Sequence, residues 1–378
     1  MPRPEKTPSP KEPANPDLFF EKELAGESAL TRSTAERLYH AAMDFDARSP
    51  WEVLEDQDLI LLPAPDSREM CYCSVMGAIG QVFSMHAYLG QDAFGLFKKI
   101  ASGQPLTVGE FFAAERSVSV ELVPRGELTP PDRGLLSELG HVFKRGALCP
   151  VFRAGRPGYH PWYITEGEGQ LLAFCLEAVN AFYDHLESHP DTDYWDEEDT
   201  YPLVTIISGN GPQSGCRVDM AKTLSPLISM MGPSAFDESR AARILRAGLP
   251  VGGVLELDHF YGGTTFGRKH ERKACMRVAI AVEAKSGYAY PPALGTPLDT
   301  TSDLLANALF EAIESARFLP NEVRVRDAGF AISLGPLVKA LGIGLQIVPS
   351  LPALDFFKQH VLQAMGDPGT ILNQDPDS

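Results

Sequence analysis

From residue 254 to residue 365 the apolar positions follow two periods, one of a strand and one of a helix. Residues 254–261 (Val-Leu-Glu-Leu-Asp-His-Phe-Tyr) alternate apolar and polar side chains, as a half-buried strand must. Residues 275–283 form a second β-rich run, and Lys285-Ser-Gly287 separates it from a third at 288–294, the pattern of a hairpin. Thr300-Thr-Ser-Asp303 supplies an N-cap, and Leu304, Leu305, Ala308, Leu309, Ala312 and Ile313 then recur at helical spacing. The same reasoning predicts a strand over 322–327, a helix over 334–341, a strand over 343–348 and a helix over 352–365. The order β-β-β-α-β-α-β-α implies an α/β domain with a mixed sheet, its first three strands antiparallel and the later ones reached through helices.

The first half of the chain reads in much the same way. A helix is predicted over 31–48, strands over 58–62, 70–76 and 82–88, a helix over 91–100, a strand over 117–123, a helix over 131–143 and a strand over 149–153. A long helix over 166–187 follows. Because this order, β-β-β-α-β-α-β, repeats that of the second half, two copies of one architecture are an expectation, although the first copy places no carboxylate pair on its equivalent strands. After a predicted strand at 203–207, Ser208-Gly-Asn-Gly-Pro-Gln-Ser-Gly215 looks like a phosphate-binding loop, but its spacing is wrong for G-x-G-x-x-G and no P-loop Lys-Ser/Thr follows. It reads as a joint, with a connecting helix at 236–247. The expected organisation is a disordered tail at 1–28, an N-terminal α/β domain at 29–190, an acidic loop and connecting segment at 191–250, a second domain at 251–366 and a disordered tail at 367–378.

Composition narrows the function classes. The chain has 378 residues, 44% of them hydrophobic, enough for two cored domains. Its apolar runs fall short of the roughly 18 residues of a membrane span, and Met1-Pro-Arg-Pro-Glu-Lys6 has no apolar core behind its charges, so no membrane partner and a cytoplasmic location are expected. A net charge of −17 disfavours nucleic acid as the main partner, because that surface repels phosphates on average. The densest basic cluster, Arg268-Lys-His-Glu-Arg-Lys273, reads as a solvated loop. The six cysteines read as buried small hydrophobes, since Cys71-Tyr-Cys73 is the only close pair and no zinc spacing follows.

Few motifs suggest chemistry. Residues 191–202 carry six carboxylates and read as a self-repelling loop lacking the Gly and terminal Glu of a calcium site. Residues 152–162 (Phe-Arg-Ala-Gly-Arg-Pro-Gly-Tyr-His-Pro-Trp) form a rigid aromatic loop, expected to dock the long helix or to face a ligand. G-x-S-x-G, H-E-x-x-H and Walker patterns are missing, and the histidines are dispersed. Asp258 lies on the first strand of the second domain and Asp327 ends its fourth.

Element order and those two acids together resemble the ribonuclease H-like fold shared by ribonuclease H, retroviral integrases and many transposases. More closely, Asp258-His-Phe260, Ser286-Gly287, Val325-Arg-Asp327 and Leu341-Gly-Ile343 resemble a domain of unknown function from an uncharacterised bacterial two-domain family. Its companion domain is matched by Trp51, Cys73-Ser-Val-Met-Gly77, Tyr88-Leu-Gly90 and the 152–162 loop. The resemblance implies metal-binding carboxylates at Asp258 and Asp327. Two-metal hydrolysis needs three or four such groups around cations about 4 Å apart. Glu256 shares the face of Asp258, Glu311 or Glu314 stands on the helix where ribonuclease H has its Glu, and Asp355 starts the last helix. Gln363 falls where an integrase-like Glu would be, and an amide cannot replace that charge. The favoured expectation is a ribonuclease H-like binding or accessory module without catalysis or cofactor, its partner a protein or small ligand. The alternative is a Mg²⁺- or Mn²⁺-dependent nuclease using Asp258, Asp327 and one of Glu256, Glu311 or Asp355.

Overall fold

A computed structural model describes residues 28–365 except 66–68, 105–107, 142, 145, 208–214, 224–234 and 268–271. The Gly-rich loop at 208–215, save residue 215, and most of the basic cluster at 268–273 therefore lie outside the described residues, as do both predicted tails, save residue 28. The fold is mixed α/β, with two mixed sheets.

Thr31 caps α1 (Arg32–Arg48) by accepting the Thr34 amide. Ala35, Leu38, Ala42 and Phe45 give that helix a buried stripe. There follow β1 (Ile60–Pro63), β2 (Met70–Met76), β3 (Phe83–Leu89), α2 (Gly90–Ala101), α3 (Val108–Ala114), β4 (Ser117–Pro124), α4 (Pro130–Leu139), β5 (Leu148–Gly155), α5 (Glu166–Ser188), β6 (Thr200–Ile207) and β7 (Gly215–Lys222). They build a seven-stranded sheet in the order β5-β4-β3-β2-β1-β6-β7. Alternation along β2 sends Cys71, Cys73 and Val75 into the core beneath α1 and α5, while Tyr72 stacks on Phe94 of α2 at 4.4 Å on the other face. The segment expected to connect the domains thus gives this sheet the strand predicted at 203–207, as β6, and a further one, β7.

The second sheet uses β8 (Val254–Phe266), β9 (Ala274–Glu283), β10 (Ala293–Gly295), β11 (Glu322–Val325) and β12 (Gly344–Ile347), in the order β10-β9-β8-β11-β12. The first three pair antiparallel, whereas β11 pairs parallel to both β8 and β12. On one face Leu255 and Leu257 pack under α6 (Glu238–Arg246), α7 (Thr301–Ala316) and α8 (Ala328–Leu341). On the other, Phe260, Ile280 and Val282 pack under α9 (Pro352–Met365).

Three expectations change. The strand predicted at 288–294 shrinks to β10, because Pro291 and Pro292 have no N–H to give the ladder. The strand predicted to end at Asp327 stops at Val325, and Asp327 instead caps α8. The two domains are not copies of one architecture, since their strand orders differ. The excursion through α2 and α3 returns to the end of the sheet it left, with the Leu89 amide donating to the Arg116 carbonyl at 2.8 Å. That places β4 antiparallel between β3 and β5 rather than parallel beside β1. Element order cannot distinguish those two returns.

The aromatic loop docks the other domain. The Cys275 amide donates to the Gly158 carbonyl at 2.8 Å, the His160 amide donates to the Lys273 carbonyl at 2.9 Å, and Gly158, at φ +81, lies against Pro297. Phe112, Tyr261 and Cys275 pack together across the seam. Arg272, expected in a solvated loop, is 3% exposed. Its Nη1 donates to the Ala154 carbonyl at 3.1 Å and its Nη2 to Glu168 at 3.3 Å. Glu168 also holds Arg156 and closes the capping box of α5 with Thr165.

Beside this seam Glu115 is 8% exposed, its Oε2 has no hydrogen-bond partner, and burial pushes its carboxyl up to about 7 against the opposing pull of Ser117 and Arg272. A folded pKa above the unfolded one stabilises fully below the unfolded value, and that contribution is lost as pH rises through the folded value. The wild-type protein should therefore lose roughly 2–3 kcal/mol between mildly acidic and mildly alkaline pH relative to a Glu115→Gln variant. Urea unfolding across that range checks this; parallel profiles for the two proteins would refute it.

Candidate functional site

The face of β8 that turns towards α9 carries Glu256, Asp258 and Phe260, as period-two alternation requires. Glu256 and Asp258 are 2% and 5% exposed, so each needs a compensating partner. Glu256 Oε2 accepts the Leu354 amide at 2.8 Å, holding the first turn of α9 where the free amides and the helix dipole favour an anion. Asp258 Oδ1 accepts the His259 amide at 2.8 Å. Its Oδ2 lies 3.2 Å from Nη2 of Arg326, and the same Nη2 meets Asp355 Oδ1 at 2.5 Å. One guanidinium thus bridges a strand acid and a helix acid.

The register explains this. Arg324 on β11 lies opposite Glu256 on β8, so two residues further Arg326 comes level with Asp258 on the same side. Burial pushes the Asp258 carboxyl above the ordinary aspartate range; the His259 amide, Arg326 and Lys358 pull it back, and Asp355 adds to the rise. Burial by itself would lower the Arg326 guanidinium, but Asp355 and Asp258 more than offset it and raise it. Lys358 covers the Phe260 ring, its Nζ 5.1 Å from the centroid.

Of the acids singled out from the sequence, the structure gathers Glu256, Asp258 and Asp355 on this face. It does not bring Asp327 or Glu311 to them. Asp327 is exposed, and its Oδ1 accepts the Phe330 amide at 3.1 Å as the cap of α8. Glu311 and Glu314 grip Arg240 of α6 at 2.7 and 2.6 Å, on the side of the sheet opposite α9. His259, as its place in the strand requires, turns the other way, and its Nε2 lies 3.1 Å from Nε of Arg277. Among the described residues no group of three or more His, Cys, Asp or Glu is arranged to hold a metal ion. The donor set around Asp258 does not fit a divalent pair, because a fixed cation of the chain already stands between its carboxylates.

Arg326 is the residue that reading the sequence missed. The signal was there: Arg324 and Arg326, spaced by two, match Glu256 and Asp258, spaced by two, once the strands are taken as parallel neighbours.

Residues 36–203 match the model of a domain of unknown function (DUF7309), and residues 243–362 that of a second domain of unknown function (DUF6930). Together they support a two-domain family whose models assign no activity. No curated protein matches the chain.

Replacing Arg326 by Gln should raise the Asp258 pKa further and destabilise the protein by about 1–3 kcal/mol near neutral pH, discounted because the arginine is partly exposed. A folded carboxyl pKa raised in this way costs stability only as pH rises through it, so the variant should approach wild type in acid. Arg326→Lys should recover part of the loss. Thermal unfolding at acid and neutral pH checks this; an equal deficit at both would show that Arg326 acts through packing alone.

Proposed function

We propose that the second domain is a ribonuclease H-like scaffold in which Arg326 holds the place of the catalytic metal ions, and that it serves as a binding or accessory module. The observation that carries this reading is the guanidinium bridge from Asp258 to Asp355. The kinship is supported by a sheet whose first strand, β8, is central, with an antiparallel pair on one side and two parallel strands, reached through helices, on the other. A divalent ion at Asp258 would need Arg326 to leave, stripping a buried carboxylate of its partner before the ion arrived. With a net charge of −17 the surface favours a protein or small ligand over a nucleic-acid backbone.

The nuclease alternative is tested directly. Mn²⁺ titration followed by electron paramagnetic resonance, and incubation of RNA–DNA hybrids with Mg²⁺ or Mn²⁺, should give neither saturable binding at Asp258 nor cleavage. Metal-dependent cleavage abolished by both Asp258→Asn and Asp327→Asn would overturn the proposal and reinstate a carboxylate-metal enzyme.

A further inference from the structure

Among the described residues the two sheets end in β5, β7, β10 and β12. An unpaired edge is a template for a further strand, and folded proteins usually blunt it. β10 and β12 are short, at three and four residues. β5 carries Pro150, and its outer side is bridged where Ala154 pairs with Trp162. β7 has none of these devices. It runs for eight residues with no proline, in unbroken antiparallel register with β6 from Gly215 opposite Ile207 to Lys222 opposite Thr200. Among the described residues no strand or isolated bridge pairs its outer side. Alternate residues of such a strand turn their N–H and C=O groups away from the sheet, so β7 presents an open ladder.

The side chains of β7 show what fits that ladder. Its sequence is Gly215-Cys-Arg-Val-Asp-Met-Ala-Lys222. Cys216 and Val218 pack against the core beneath α5, and Met220, on the same face, is 47% exposed. Arg217 and Asp219 flank Val218 on the opposite face and meet each other at 2.9 Å. Both are exposed, so that pair contributes little by itself. One cation and one anion placed evenly about a central apolar residue are self-complementary. When two such strands lie antiparallel about a two-fold axis through Val218, Arg217 of each faces Asp219 of the other, and Cys216 faces Met220. An axis through Arg217 or through Asp219 would instead set like charges opposite each other, which is destabilising. The charge pattern therefore selects one register.

We propose that β7 is an interface between two copies of this chain, paired antiparallel about Val218 so that their seven-stranded sheets join into one. Main-chain hydrogen bonds supply the contact, as in other strand additions, and the two Arg217–Asp219 pairs across the axis set its register. The interface is independent of Arg326 and of the reading given to the second domain.

Sedimentation equilibrium of the full chain over a rising concentration series should show monomers passing into dimers. Arg217→Asp and Asp219→Arg should each weaken the dimer about tenfold, because each puts two like-charge pairs where two attractive pairs stood. Combining the two substitutions in one chain reverses both signs and should restore the dimer to near its wild-type strength. Circular dichroism verifies that each variant folds. In the wild-type protein, hydrogen exchange of the β7 amides should slow as dimers form, and that of β12 should not change. A monomer at every concentration, a dimer that leaves β7 exchange unchanged or protects β12 instead, or a double variant as weak as either single one would each overturn the proposal.

Discussion

A carboxylate carried into the interior on a central strand has two ways to exist: it takes up a proton, or it finds a cation. On β8 the strand holds Glu256 and Asp258 behind α9, and the two acids solve the problem differently. Glu256 uses the free amides at the start of α9. Asp258 uses Arg326, which the parallel pairing of β8 and β11 brings level with it. The placement of α9 depends on both, because Glu256 holds its first turn and Arg326 ties Asp355 near its start. The charge pair is therefore a constraint on packing as much as on chemistry. It joins two parallel strands and the helix that covers them, and it consumes the negative charge that a metal ion would otherwise neutralise.

The seam between the domains follows the same logic. A β-bridge between Tyr159 and Ala274 and the amide bonds of the 158–160 loop give directional contact. Phe112, Tyr261 and Cys275 supply the desolvated centre. Inside such a centre a guanidinium is tolerated only when several acceptors meet it, and Arg272 has the Ala154 carbonyl and the doubly used Glu168 carboxylate. Glu115 nearby has less, and its raised pKa reflects that shortage.

Local chemistry made much of the fold legible. Thr31, Thr165 and Thr300 cap helices whose starts can be read from a hydroxyl followed by an apolar period, because a cap depends on three or four neighbouring residues. The core strands could be read because alternation along β2 or β8 is a property of the strand itself. Asp327 could not be placed correctly, since an acid between a short strand and a helix satisfies a strand-end pattern and an N-cap pattern equally well. β7 was overlooked: Cys216, Val218 and Met220 alternate with Arg217 and Asp219, so the strand period was there, but at the sheet edge only Cys216 and Val218 pack against the core. The candidate site was half legible, its acids Glu256, Asp258 and Asp355 recognisable as candidates, but Arg326 as their partner was not.

What the sequence by itself determined is the set of segments and their inward faces, together with the expectation of acids on a central strand. The periods of helix and strand are carried by contiguous residues, so no distant information is needed. What only the tertiary structure decided is adjacency: that β4 returns beside β3 rather than β1, that Arg326 rather than Asp327 stands at Asp258, that Arg272 is interior, and that β7 is left at the end of its sheet. Adjacency is set by which surfaces exclude water together, a free-energy difference summed over the whole core. No single stretch of chain encodes it.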